Sequence, residues 1–322
     1  LMLCCSCRGQ ELLKPPLSEN IRDHNTLIKD TSLFNFIIYS KEKTSFLYKG
    51  SPLTILKKDS LQWRKSFFCR TPTTSFWEKN KNCEDKQVQI SNDKNLPLAG
   101  IRIALDPGHL AGTPLMAEIE GKQIRLKHPS THDSIFFYEG ELTFLTVSLL
   151  EDRLNKLGAT VFTTRKPNES ALGYTYFEWL KKYFNSDLDS CLKNEVINEK
   201  DFRFLLKEKK KNTLRSKKII FHKIFKHLDF YQRAKMINQF QPDFTVIVHY
   251  NVDVKNKGWN KPTKDNFNMA FVPGAFMKGE LEKQIDFNHL IRLSQTNEIN
   301  ESIIFSSYVL KGLKKHTKVD II

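Results

Sequence analysis

Ile101-Arg102-Ile103-Ala104-Leu105-Asp106-Pro107-Gly108-His109 opens with residues that suit a buried strand and ends in residues that stop one. A short apolar run bounded by turn formers fits a strand covered on both faces. In the Asp-Pro-Gly-His turn, Pro presets φ and Gly permits φ > 0. After a loop of about thirty residues, Leu142, Leu145, Leu149, Leu150, Leu154 and Leu157 follow helical spacing over about 141–157. Gly158 is a natural C-terminal stop. Thr160-Val161-Phe162-Thr163-Thr164 is a second strand. Strand, helix, strand in this order predicts a right-handed parallel unit. A helix over Tyr231 to Phe240 halts before Pro242 and leads into a third strand, Phe244-Thr245-Val246-Ile247-Val248. Helical stretches follow at about 280–293 and 298–315. The expected fold is α/β, with a twisted, mostly parallel sheet.

Upstream the texture differs. Residues 8 to about 33 are polar and rich in Asn, Asp and Pro, as a linker is. The short apolar runs Phe34–Tyr39, Phe46–Tyr48 and Leu53–Leu56 suggest a small β-rich region over 34–97. The opening Leu1-Met2-Leu3-Cys4-Cys5 is either the tail of a truncated export signal or an ordinary apolar start. In the first case Cys4 stands where a bacterial lipoprotein carries its lipidated cysteine, which would bring the chain to a membrane surface. Cys4, Cys5 and Cys7 lack the paired spacing of a zinc site. Cys69 and Cys83 either pair in an oxidising compartment or remain thiols. The expected division is therefore 1–33 export signal or linker, 34–97 β-rich region, and 98–322 α/β domain.

The 322 residues carry 51 Lys+Arg against 36 Asp+Glu, a formal charge of +15. A hydrophobic fraction of 40% excludes wholesale disorder, and no apolar run reaches the length of a transmembrane helix. The charge favours an anionic partner: nucleic acid, an acidic membrane or a charged polymer. Part of it is concentrated in a basic insertion at about 166–230, where Leu205 to Leu228 holds nine Lys/Arg against one acid, Glu208. Helical spacing there is partial. The expectation is a solvated insertion, with a polyanion-binding arm as the sharper alternative.

Three residues fall at equivalent places in the expected sheet. His109 lies just beyond the first strand, Glu139 just before the helix that follows, and His249 just after the third strand. Parallel neighbours would collect all three at the carboxyl edge, where open α/β sheets bind ligands. Two His and one Glu form the ligand set of many catalytic zinc sites, which keep a fourth position open. Such a metal polarises a carbonyl and acidifies water. Taken singly, each residue has an ordinary structural role: turn, helix-terminal charge, or satisfied histidine.

In order, Leu105-Asp106-Pro107-Gly108-His109, Glu139-Gly140-Glu141-Leu142-Thr143, Thr164-Arg165, Arg233 with Asn238, and Val248-His249-Tyr250-Asn251 resemble the zinc-dependent N-acetylmuramoyl-L-alanine amidases. The resemblance spans about residues 98 to 315, interrupted by the basic insertion. It implies a twisted sheet with helices on both faces, and Zn2+ held by His109, Glu139 and His249. It also implies hydrolysis of the amide joining the muramic acid lactyl group to L-Ala of peptidoglycan. Peptidoglycan is then the expected partner and the cell envelope, periplasmic or extracellular, the expected location.

The chain departs from the family pattern in two places. Leu110-Ala111-Gly112 follows the His where the family usually has a Gly, so the loop path should differ. The family's catalytic glutamate sits on a last strand beyond the final helix. Lys318-Val319-Asp320-Ile321-Ile322 resembles the start of such a strand but holds no Glu, and Glu298 and Glu301 fall inside the preceding helical pattern. The catalytic base is therefore expected beyond Ile322, in a chain truncated at its carboxyl end. The alternative is a catalytically inactive, amidase-like peptidoglycan-binding protein. A polyanion or nucleic-acid binder, resting on charge alone, ranks third, and no nucleic-acid partner is expected. His128 and His132 have ligand-like spacing, but Pro129 argues against a helix, leaving exposed loop histidines or substrate contacts. Arg165 and Arg233 are expected to position loops or pair with carboxylates, and Asn251 to brace the His249 turn or close its strand.

Overall fold

The computed structural model describes strands at 2–7, 37–39, 43–48 and 51–56, together with residues 95–321 except 111–112, 129, 252–265, 278–279, 281–288, 291–292 and 294–297. The chain divides into two compact units, one of residues 1–4, 90–270 and 310–322, the other of 5–89 and 271–309. The strands begin with β1 (Met2–Cys7), β2 (Ile37–Tyr39), β3 (Lys43–Tyr48) and β4 (Ser51–Leu56). Of these, β2, β3 and β4 form an antiparallel meander within the expected β-rich region. Next come β5 (Arg102–Pro107), α1 (Pro114–Glu120), β6 (Gln123–Lys127), β7 (Ser134–Tyr138), α2 (Glu139–Lys156) and β8 (Thr160–Thr163). A helical run follows: α3 (Tyr176–Lys182), α4 (Phe184–Lys193), α5 (Glu199–Lys211), α6 (Leu214–Ile220), a π-helical segment (Phe221–Phe225) and α7 (Lys226–Phe240). The last elements are β9 (Phe244–His249), β10 (Phe267–Phe271), α8 (Glu298–Thr317) and β11 (Asp320–Ile321). Among the described residues no helix is long and apolar enough to cross a membrane.

The fold is α/β. Six strands form one sheet in the order β11-β10-β1-β9-β5-β8. β5 runs parallel to both β8 and β9, and β10 runs parallel to β11. Ile103, Ala104 and Leu105 are all buried, which explains why β5 is continuously apolar and does not alternate. The start of β5 is tied to the end of α7. Arg102 N–H donates to Asp243 Oδ2 at 2.8 Å, and the Arg102 guanidinium donates to the carbonyls of Phe240 and Gln241. A cation thus satisfies the orphan carbonyls of a helix C-terminus, the end whose dipole is negative. Gly158 ends the turn after α2 at φ 94, where a Cβ would also lie 3.1 Å from Ala99 N.

Several expectations are corrected. The loop expected after His109 contains a helix, α1, and a hairpin in which β6 pairs antiparallel with β7. The leucine stripe of α2 is only partly covered: Gly140, Thr143 and Val147 are buried, Leu142, Leu150 and Leu154 are half-buried, and Leu145 and Leu149 are exposed. Small residues face inward there because Thr143 bonds the Asp-Pro-Gly-His turn directly and Gly140 is linked to it through Arg165. α7 begins at Lys226 because it continues the π-helical segment. β10 carried no signal strong enough to be read as a strand. The helix expected at 280–293 falls mostly outside the described residues, as do Cys69 and Cys83. The side chain of Cys4 lies outside them too.

The basic insertion is not merely solvated chain. It folds into helices around an aromatic core in which Tyr176, Trp179, Phe184, Phe221 and Phe225 are essentially inaccessible. Their ring centroids lie 4.9 Å (Trp179–Phe225) to 6.0 Å (Tyr176–Trp179) apart, in tilted, edge-on and stacked contacts. The polar tips are satisfied: Trp179 Nε1–H donates to Asp187 at 2.7 Å and the Tyr176 hydroxyl to the Lys217 carbonyl at 2.8 Å. Met116, Ala117 and Ile119 of α1 belong to the same core. The nine cations of 205–228 lie exposed or half-buried around it. The lone acid, Glu208, is buried and holds Lys211 and Ser216, fixing the corner between α5 and α6. Trp179→Ala should therefore cost ~3–5 kcal/mol in urea denaturation, whereas Lys210→Ala should change stability by less than ~0.5 kcal/mol.

Candidate metal centre

Strand register brings the two histidines together. Pro107 on β5 pairs with Val248 on β9, so Gly108-His109 and His249 leave the sheet side by side at its carboxyl edge. Gly108 N–H donates to the Val248 carbonyl at 2.9 Å. Glu139 is the first residue of α2, directly after the hairpin strand β7. Its Oε1 lies 3.1 Å from His109 Nε2, 3.1 Å from His249 Nδ1 and 3.1 Å from Tyr250 N–H. Lys122 Nζ stands 3.4 Å from the other oxygen. The three ligand atoms of His109, Glu139 and His249 lie within 4.8 Å of one another, and the group is half-buried. This group can hold a metal ion. Two imidazole nitrogens and one carboxylate oxygen suit a divalent transition metal.

The turn that carries His109 is held from beneath by charge. The Arg233 guanidinium donates to Asp106 Oδ1 and Asp229 Oδ2, both at 2.7 Å, to the Pro107 carbonyl at 2.8 Å and to the His109 carbonyl at 3.2 Å. Arg165 donates to the carbonyls of Pro107 and Gly140 at 3.1 and 2.9 Å. The Thr143 hydroxyl donates to the Gly108 carbonyl at 2.6 Å, and Thr164 donates to Asp106. Arg165 and Arg233 are thus positioning groups, as expected, and both are buried. The reason for the glycine differs from the expectation. It is His109, not Gly108, that adopts positive φ, at 61°. Gly108 is needed for space, because a Cβ there would lie 2.3–2.7 Å from ring atoms of His249. Positive φ at a non-glycine residue stores backbone strain, which the surrounding hydrogen bonds sustain.

The electrostatics follow from this packing. Burial alone would raise the Glu139 carboxyl, but hydrogen bonds from His109 and His249 outweigh it and hold the group well below the usual carboxylate range. Burial would lower His109, yet the carboxylates of Glu120 and Glu139 on either side of the ring leave it raised. Burial, with the charge of Arg233 nearby, brings Arg165 down to about 10. Arg233 is also pulled down by burial, but Asp106 and Asp229 outweigh that and leave it raised.

One residue at the site was missed by sequence reasoning. Glu120, at the end of α1, is buried, with Oε1 3.0 Å from His109 Nδ1 and Oε2 accepting Leu110 N–H at 3.1 Å. Thr113-Pro114 and Gly121 form an N-cap, N1 proline and left-handed C-cap that could have revealed α1. They could not have shown where its last residue points. His128 and His132 do not join the group. His128 Nδ1 accepts from Ser130 and Thr131 N–H within its own hairpin turn, and His132 is exposed at φ 61. Glu298 and Glu301 lie in α8, as their spacing indicated.

Two substitutions probe this arrangement. Arg233→Met leaves Asp106 and Asp229 buried without their counter-charge and should cost ~3–5 kcal/mol in urea denaturation. Gly108→Ala suits the backbone but displaces the His249 ring. Titration of Zn2+ into metal-free protein should show affinity weakened ~10-fold or more, which is ~1.4 kcal/mol, with unfolding little changed. In comparisons with known proteins, no protein-family model, no curated protein and no solved structure matches this chain.

Proposed function

We propose that the protein is a zinc-dependent N-acetylmuramoyl-L-alanine amidase, acting on the amide between the muramic acid lactyl group and L-Ala of peptidoglycan. The observation that carries this reading is the convergence of His109, Glu139 and His249 at one sheet edge, in the chain order of the amidase motifs they resemble. Their donor set fits zinc, which keeps an open position at two His and one carboxylate. Zinc, when bound, would polarise the scissile carbonyl and acidify water.

The chain's own groups prepare this site. Lys122 and Tyr250 N–H engage Glu139 from two directions and restrict its rotation. Tyr250 is itself anchored through its hydroxyl, 2.7 Å from Thr146 on α2. Arg233 and Arg165 fix the carbonyls beneath His109, so the ring is presented by a rigid turn. Proton transfer requires a further group. The resemblance assigns it to a glutamate on a strand after the last helix, and β11 begins at Asp320 with no Glu from Lys318 to Ile322. A peptidoglycan substrate would place the protein in the cell envelope.

The test uses the complete protein and purified muropeptides. Cleavage should release stem peptide with a free L-Ala amine, cease on chelation and return with Zn2+. His109→Ala should reduce the rate by ~10³-fold or more, the loss of several kcal/mol of transition-state stabilisation. Undiminished cleavage by metal-free His109→Ala protein would overturn the reading. Retention on peptidoglycan without peptide release would point instead to a binding protein.

A further inference from the structure

The carboxylate of Glu120 touches the centre from behind. We propose that Glu120 is a positioning residue that selects the tautomer of His109, accepting its Nδ1–H and so turning the Nε2 lone pair toward Glu139 and the metal. This rests on the metal-centre reading above and adds to it a residue outside the ligand set.

The geometry supports the assignment on three counts. First, the two ring nitrogens of His109 face different carboxylates, Nδ1 toward Glu120 at 3.0 Å and Nε2 toward Glu139 at 3.1 Å. Both carboxylates can only accept, so the one proton of a neutral ring goes to one of them. Glu139 Oε1 already accepts Tyr250 N–H and faces His249 Nδ1, which favours Glu120 as the acceptor, and a proton on Nδ1 leaves Nε2 free to ligate. Second, the other oxygen of Glu120 accepts Leu110 N–H at 3.1 Å. The same side chain therefore holds both the ring of His109 and the backbone just after its positive-φ position. Those two contacts keep the carboxylate on the far side of the ring from Glu139, which is a place to orient a ligand and not to attack a substrate. Third, α1 is locked in rotation. Thr113 caps it, Gly121 ends it, and Met116, Ala117 and Ile119 sit in the aromatic core of the helical insertion. On the outer side, Lys218 on α6 pairs with Glu118 at 3.3 Å. The insertion thus reaches the metal centre through α1.

A carboxylate at this position is chemically specific. Gln has the same shape but cannot accept from both neighbours. If its oxygen takes Leu110 N–H, its amide donates to His109 Nδ1 and drives the proton onto Nε2. If its oxygen takes Nδ1–H, two donors face each other at Leu110. A merely space-filling or charge-balancing Glu120 would show no such preference for ring proton.

Glu120→Gln in the complete protein tests this, with two measurements. Chelator competition should show Zn2+ bound ~10–100-fold more weakly than by wild type, the usual scale for an outer-shell partner of a ligating His. Nitrogen-15 correlation spectra of the metal-free protein, at a pH where the ring is neutral, should place the His109 proton on Nδ1 in wild type and on Nε2 in the variant. Unchanged Zn2+ affinity, or a wild-type His109 proton on Nε2, overturns the proposal. If wild type binds no Zn2+, the metal-centre reading fails, while the ring-proton assignment still decides the role of Glu120. Should the variant not fold, the wild-type spectrum alone decides: a proton on Nδ1 supports the role and one on Nε2 removes it.

Discussion

Arg233 lies buried between Asp106 and Asp229, and the end of β5 depends on it. A charge at that depth is tolerable only when opposite charges and carbonyls replace its water. Two carboxylates and the carbonyls of Pro107 and His109 do so here. Arg165 lies close by, so two guanidiniums balance two aspartates. The consequence is geometric. The Asp-Pro-Gly-His turn is gripped at its side chain and along its backbone, which lets His109 hold a positive φ that it would not choose alone.

From that turn the remaining parts of the centre follow in order. Gly108 leaves room for the His249 ring, and the rings of His109 and His249 meet edge to face with centroids 4.8 Å apart. α2 is drawn onto the turn by Thr143 and by Arg165 bound to the Gly140 carbonyl, which sets its first residue, Glu139, against both rings. That contact also explains the rotation of α2. Polar bonds to the turn bury its small residues and leave Leu145 and Leu149 outside. The insertion, by its position in the chain an interruption, packs its aromatic core against α1.

The basic charge of the insertion sits on a folded core. The +15 excess remains real, and the insertion carries part of it outward. Yet those lysines surround a folded core whose stability comes from ring packing and from buried apolar area. The partial helical spacing of Leu205 to Leu228 was a true signal diluted by the π-helical segment, which shifts the phase between α6 and α7.

Much of the centre was legible in the sequence. Strand boundaries of β5, β8 and β9, the parallel order and the identity of His109, Glu139 and His249 all follow from apolar runs, turn residues and chain order. These are local or near-local signals, and a parallel sheet gathers its carboxyl ends by construction. Tertiary structure alone decided the rest. It placed the positive φ on His109 and gave Gly108 its purpose, because both depend on a ring arriving from β9. It chose the inward face of α2, made a packed subcore of a lysine-rich segment, and brought Glu120 to His109 Nδ1. No periodicity encodes those contacts: each joins groups whose meeting depends on how separate elements pack, and only the assembled chain brings them within hydrogen-bonding distance.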